Sequence, residues 1–327
     1  MRRNRALLGW LGGFVGLSLT MSTGALAWGA PGHETVGAIA DQLIAGRRAE
    51  SEVHKLLKPG ESLESVSTWA DCAKGLCGEL TEELRDFVRR NPHHAQYHYT
   101  DVPFEAAAYD EGGVGTSDDD IVHIAKQCIA VLKGATDRSA NPHGFSPREA
   151  LLLLVHLLGD IHQPLHVGPG YVSDKDAFVV PASSAAVNNV TIFKTDGDND
   201  LILGSQPLHG FWDSRAVEYA MRRANVRTPE EFAASLMRAP ADMPIVTGDV
   251  TKWPAKWATE TLAAAKRAHE GLEIEKRDEA GGRSGKMHFV WKVSAPSDYA
   301  QTASGIAATQ LTRAGYRLAA VLEAVWH

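Results

Sequence analysis

The sequence predicts one mostly α-helical domain. Apolar residues recur at helical spacing in seven separate stretches, several of them bounded by capping residues, and only one short run reads as strand. No repeat at a fixed period and no low-complexity linker divides the chain.

Taken in order, residues 1–27 stand apart. They begin with Arg2, Arg3 and Arg5, continue as an apolar stretch and close on Ala25-Leu26-Ala27, the pattern of a signal peptide cleaved after Ala27. An uncleaved membrane anchor is the other reading, because the apolar run is nearly long enough to span a bilayer. No later stretch is. The mature chain is then residues 28–327, a single domain in the periplasm or secreted, free of the membrane.

"HETVGAIADQLIAG" has helical spacing and ends on Gly46. "TEELRDFVRR" opens on a Thr81 cap with acids behind it, and "SDDDIVHIAKQCIAVLKG" runs from Ser117 to Gly134 in the same style. "SPREALLLLVHLLGDIH" has Pro147 just inside a Ser146 cap and ends before Pro164. "TPEEFAASLMR", "WPAKWATETLAAAKRAHEGL" and "SGIAATQLTRAGYRLAAVLEAV" repeat the pattern. "AAVNNVTIFKT" reads as one arm of a small β-hairpin. "HVGPGYVSDKDAFVVPASS" and "EIEKRDEAGGRSGKMHFVWKVSAPSDY" read as long loops, which are often functional.

The net charge is −7, and removing three arginines with the leader makes it −10, from 30 basic and 40 acidic residues. Such a chain is no general nucleic-acid coat, which needs clustered Lys and Arg. If it handles a polyanion, a concentrated local charge must do so, and bound metal is one source. Cys72 and Cys77 flank four residues and could close a disulfide loop. Cys128 lies in an apolar helical run and reads as a buried free thiol.

His156 and Asp160 stand four apart on the most apolar helix and share a face. Alone, they could be a hydrogen-bonded core pair. His166 follows beyond the Pro164 break, where the chain can turn back. His209 and Asp213 repeat the spacing of four, and Asp71 and His98 sit among aromatics. Neutral imidazole with carboxylate suits zinc, and this many such groups exceed one ion and suit two or three. "TDGDNDLIL" fails as a calcium loop, since Leu201 stands where the turn glycine belongs and Pro207 where the bidentate acid belongs. It reads as a solvated acidic turn. His162 reads as a packed, satisfied imidazole or a support for the ligands. His54, His93, His94, His123, His143, His269, His288 and His327 read as structural or exposed.

In this order these residues resemble the zinc-dependent S1/P1 nuclease family, over nearly all of residues 28–327. The resemblance rests on H-x-x-x-D-x-x-x-x-x-H at His156, Asp160 and His166, on H-x-x-W-D at His209 to Asp213, and on Trp28 followed by His33. It implies a phospholipase C/P1 nuclease-like helical fold around three zinc ions. One ion would take Asp71, His98, His156 and a shared Asp160. Its close partner would take Asp160, His33 and the α-amine and carbonyl of Trp28. The outlying one would take His166, His209 and Asp213. The implied activity is endonucleolytic hydrolysis of single-stranded DNA and RNA to 5′-phosphates, with 3′-nucleotides as further substrates and no stable protein partner, in a monomer. Asp71 would orient the attacking water or act as base, Lys74 would lie near the scissile phosphate, and Tyr99 with Asp101 would help form a nucleoside pocket.

Two departures are visible. Asp71 and His98 lie 27 positions apart, more than in fungal members, and "GDN" stands where the family often has "GGN". A zinc-dependent phospholipase C shares the three-metal plan, but it usually carries Glu where this chain has Asp213 and lacks the Trp-Asp pair. A non-catalytic zinc-binding protein would tend to use flexible His-rich tracts, whereas these residues sit on helices.

Overall fold

A computed structural model describes residues 28–238, 247–281 and 287–327; the expected leader, residues 1–27, lies outside them. The helices are Ala30–Ile44 (α1), Arg48–Leu56 (α2), Leu63–Val66 (α3), Trp69–Ala73 (α4), Glu82–Arg90 (α5), Ile121–Leu132 (α6) and Pro147–Asp160 (α7). Pro164–Val167 (α8), Leu208–Gly210 (α9), Ala216–Arg223 (α10), Pro229–Met237 (α11), Trp253–His269 (α12) and Tyr299–Val325 (α13) follow. The mostly helical expectation holds.

Helix α7 is the centre, and its sequence explains why. Ser146 Oγ accepts from Glu149 N–H at 3.2 Å while Glu149 Oε2 accepts from Ser146 N–H at 2.9 Å, so the capping box fixes the start. From Glu149 to Asp160 every residue is buried. Burying each leucine of Leu151–Leu154 is worth roughly 1.5–3 kcal/mol, and helices α1, α4, α6 and α13 pack around the result. Pro164 then opens α8, so the chain breaks after Asp160 and re-aims His166. One hydrophobic cluster, including Trp28, Trp212, Trp257 and Leu322, joins these helices.

The β structure exceeds the small hairpin expected. Strands Tyr171–Ser173 (β1) and Ile192–Lys194 (β2) pair antiparallel, and β2 falls in the run read as strand. Leu201–Leu203 (β3), Gln206–Pro207 (β4), Glu273–Gly281 (β5) and Met287–Ser294 (β6) form a second sheet in the order β4-β3-β6-β5. The long stretch after α12 is therefore a β-ribbon, not a loop. Its first strand is exposed or half-buried throughout, so no alternation of apolar and polar residues betrays it. Cross-strand pairing holds it instead: the Arg277 guanidinium lies 4.9 Å from the centre of the Phe289 ring.

Helices α2, α3, α4 and α10 are absent from the expected set: α3 and α4 are only 4 and 5 residues long, and α2 and α10 are amphipathic but short and mostly polar. The helix after Ser117 starts later than its first turn residues suggest, since Asp120 is the cap and accepts from Val122 and His123 N–H, both at 3.0 Å. Cys72 and Cys77 are joined as a disulfide and Cys128 is buried and free. No helix of the described residues is long and apolar enough to cross a membrane.

Candidate metal centre

Asp160, at the C-terminal end of α7, gathers four histidines from four parts of the chain. His98 Nδ1 and His156 Nε2 each lie 3.1 Å from its Oδ2, and His33 Nε2 lies 3.3 Å from its Oδ1. His166 Nδ1 lies 3.7 Å from Oδ1. Asp71, carried by α4, reaches the same point: its Oδ1 is 3.7 Å from His156 Nε2 and 3.8 Å from His98 Nδ1. His33 comes from the first turn of α1, and its ring stacks on His156 at 3.8 Å. Gly159 makes room for it, since a Cβ there would stand 2.8 Å from His33 Nδ1.

A second gathering lies beside the first. His166 Nε2 is 3.1 Å from His209 Nε2, and His209 Nε2 is 3.4 Å from Asp213 Oδ2. His209 and Asp213 span the junction of α9 with a π-helical turn, Phe211–Arg215, a rare local geometry that recurs at functional sites. Trp28 is buried at the edge of both gatherings. Its indole donates to Gly159 O at 3.0 Å, and the next residue, Gly29, donates to Asp213 O at 2.7 Å.

Three groups have ligand atoms close enough to hold a metal ion: His33, Asp71 and His156; His98, His156 and Asp160; His166, His209 and Asp213. The second and third coincide with groupings expected from the sequence. The first cuts across them, bringing ligand atoms of Asp71, His33 and His156 within 4.8 Å of one another.

Metal fits this donor set. Both nitrogens of His33, both oxygens of Asp71, Asp160 Oδ1 and Asp213 Oδ2 are buried without a well-aligned hydrogen bond. Buried polar atoms are rarely left unpaired, because each costs about 1–3 kcal/mol. Lys74 Nζ stands 2.7 Å from Asp71 Oδ1, off the bonding angle, and partly offsets that carboxylate. The other ring nitrogens are fixed by carbonyls: His156 Nδ1 on Ser67 O and His166 Nδ1 on His98 O, both at 2.7 Å, and His209 Nδ1 on Gly197 O. Each leaves Nε2 free to face the centre, its other nitrogen held as in ligand histidines, while His98 presents Nδ1.

The electrostatics agree. Burial, ahead of Lys74, pushes His98 down to about 3, and burial pushes His166 to about 3 despite Asp160, so burial favours the uncharged ring that a ligand needs. Burial likewise lowers His33. Burial opposes the charge on Asp71, yet His156, Lys74 and His98 hold it at about 2. Burial also opposes the charge on Asp160, and His156 and His166 overcome it. At Asp213 burial wins over His209 and Gln163, pushing it up to about 7. An acid raised by burial gains most from a cation.

The centre opens into a cleft of about 260 Å³ lined by Lys74, His98, Tyr99, His166 and His209. Tyr99, 38% exposed, forms the rim and also faces a larger cavity of about 500 Å³ with Asp101, Lys194, Phe289 and Trp291. Lys194 Nζ lies 3.3 Å from Asp101 Oδ2. His162 is satisfied in the core, with Nδ1 2.7 Å from Leu158 O and Nε2 2.8 Å from Arg317 Nη1. One polar partner has no sequence signal beyond its place in "HQPLH": buried Gln163 donates to Asp213 Oδ1 at 2.7 Å.

The match to known proteins spans the same residues. A family model described as S1/P1 nuclease covers residues 28–327. Endonuclease 4 of Arabidopsis thaliana is 24% identical over 326 residues, 93% of this chain and 90% of that protein. Nuclease S1 of Aspergillus oryzae is 31% identical over 162 residues, 46% of this chain and 49% of its own length. Endonuclease 2 of A. thaliana is 28% identical over 207 residues, 59% of this chain and 57% of its own.

Proposed function

This chain belongs to the S1/P1 nuclease family, and we propose that it is an exported, monomeric, zinc-dependent endonuclease of single-stranded DNA and RNA. It leaves 5′-phosphates and also accepts 3′-nucleotides. The single observation that carries the reading is the buried Asp160 carboxylate with nitrogens of His33, His98 and His156 within 3.3 Å. That arrangement is costly for a core and useful for metal.

Asp71, His98, His156 and Asp160 would hold one zinc; Asp160, His33 and the α-amine and carbonyl of Trp28 would hold a second; His166, His209 and Asp213 would hold the third. When bound, the ions supply positive charge for a phosphodiester and ready access to hydroxide at neutral pH. The protein does the rest. Asp71, whose oxygens lack aligned donors, accepts a hydrogen bond from the attacking water and orients it. Lys74, 18% exposed at the cleft, turns from Asp71 to a phosphate oxygen. Tyr99 offers an aromatic face to a base, and Asp101 accepts from the base edge. A base can enter the cavity beside Tyr99 only if unstacked, which selects single strands. Cleavage after Ala27 frees the Trp28 amine and makes residues 28–327 the catalytic domain.

Release of acid-soluble nucleotides from denatured and duplex DNA, beside release of choline phosphate from lecithin, tests this directly. Denatured DNA should be degraded at least tenfold faster than duplex, with all activity lost to a chelator and restored by zinc. Preference for lecithin would make the chain a phospholipase C, and zinc binding without either activity would make it a binding protein.

A further inference from the structure

The acidic turn of residues 195–200 is solvated at Asp196 but not throughout. Asp198 is completely buried, at 0% exposure. Its Oδ1 accepts from Gly170 N–H at 2.8 Å and lies 2.8 Å from Thr195 Oγ1, while Oδ2 lies 2.8 Å from His269 Nε2 on α12. His269 is held in turn. Its Nδ1 lies 2.8 Å from Ala265 O, and the Phe104 ring stacks on it at 3.9 Å.

These contacts support a backbone that is otherwise costly. Asp196, Gly197 and Asp198 are all left-handed, with φ of 52°, 63° and 65°, and two of the three carry a Cβ. The product of the turn is directed at one ligand. Gly197 O meets His209 Nδ1, and Asp198 O accepts from His209 N–H at 3.3 Å. The turn also reaches the other histidine of that group, because Gly170 lies four residues beyond His166 on the segment leaving α8.

We propose that Asp198 and His269 are positioning residues for the outlying metal group. They tie the backbone behind His166 to the turn that orients His209, and so set the 3.1 Å approach of the two imidazoles. Neither touches the group itself. The inference rests on the proposed zinc chemistry for its occupant, and on the contacts above for its geometry.

Asp198→Asn and His269→Phe test it; the second keeps a ring against Phe104. Zinc bound per chain is counted across a chelator-buffered zinc series. Both variants should hold two ions as tightly as the parent and the third about 10- to 100-fold more weakly. A general loss of structure would loosen all three together. Nitrogen NMR of the metal-free chain reads the same clamp without zinc: His209 should be the Nδ1–H tautomer in the parent and a mixture in the variants. Unchanged affinity and tautomer, equal weakening of all three ions, or loss of the fold in both variants overturns the proposal. A chain that passes these tests and cuts no nucleic acid refutes the proposed function and leaves the clamp standing.

Discussion

Asp160→Asn is the substitution with the largest expected consequence for the fewest atoms changed. The carboxylate is fully buried, and its two oxygens serve different neighbours: Oδ2 faces His98 and His156 at 3.1 Å, and Oδ1 faces His33 at 3.3 Å. A carboxamide keeps the shape but not the function. It has one acceptor oxygen, so only one side retains a donor atom, and its NH₂ points at the other side's imidazole nitrogens. It also removes the negative charge that two ions would share. Deleting one partner of a buried charged contact costs about 3–5 kcal/mol, and each 1.4 kcal/mol is about tenfold in affinity. Each of two zinc positions should therefore weaken by roughly two to three and a half powers of ten. The third group, His166, His209 and Asp213, keeps all its atoms. Dialysis against chelator-buffered zinc followed by elemental analysis should show a fall from about three ions per chain toward one, with DNase activity lost. If the variant keeps three ions and its activity, Asp160 is not a shared ligand. If it loses all three, the outlying group is not independent.

Two further outcomes follow from other parts of the chain. Adding Met-Ala before Trp28 places the Trp28 nitrogen in a peptide bond, so the extended chain should lose about one zinc and most activity relative to the chain starting at Trp28; equal zinc content and equal rates would show that the amine is not a ligand. At the surface, burial and then Glu230, Asp41 and Glu34 push Glu64 up to about 7. The cost of ionising Glu64 is absent below the unfolded value near 4.5 and complete above 7. Glu64→Gln should raise stability by about 1 kcal/mol at pH 8 after solvent screening and by nothing at pH 4; an equal shift in melting temperature at both pH values would refute the assignment.

The sequence made some of this legible because the information was local. Ser146, Pro147 and Glu149 mark the start of α7 within four residues, and the spacing of His156 from Asp160 is enough to put both on one face. His209 and Asp213 share that spacing and meet, although a π-helical turn rather than a plain helix joins them. Other features had no local signature. Strand β5, "EIEKRDEAG", is mostly charged and exposed or half-buried on both faces, and it is a strand only because β6 lies beside it. Asp71 could be named as a ligand, yet its nearness to His33 depends on how α1 and α4 pack around α7.

Asp198 shows the limit most sharply, and shows why it exists. Three aspartates alternating with Gly197 and Asn199 have the composition of a solvated turn, and Asp196 is exposed and Asp200 partly so. The middle one differs only in what surrounds it: Thr195 of the same turn supplies one partner, and the other two come from elsewhere. Gly170 comes from the chain leaving α8, and His269 comes from a helix 71 positions away. A carboxylate with no such partners would have to stay at the surface, since burying it unpaired costs several kcal/mol. Ligand pairs on one helix carry their geometry in their spacing. The groups that hold such pairs in place come from whatever the fold brings alongside, and their roles are set only when it does.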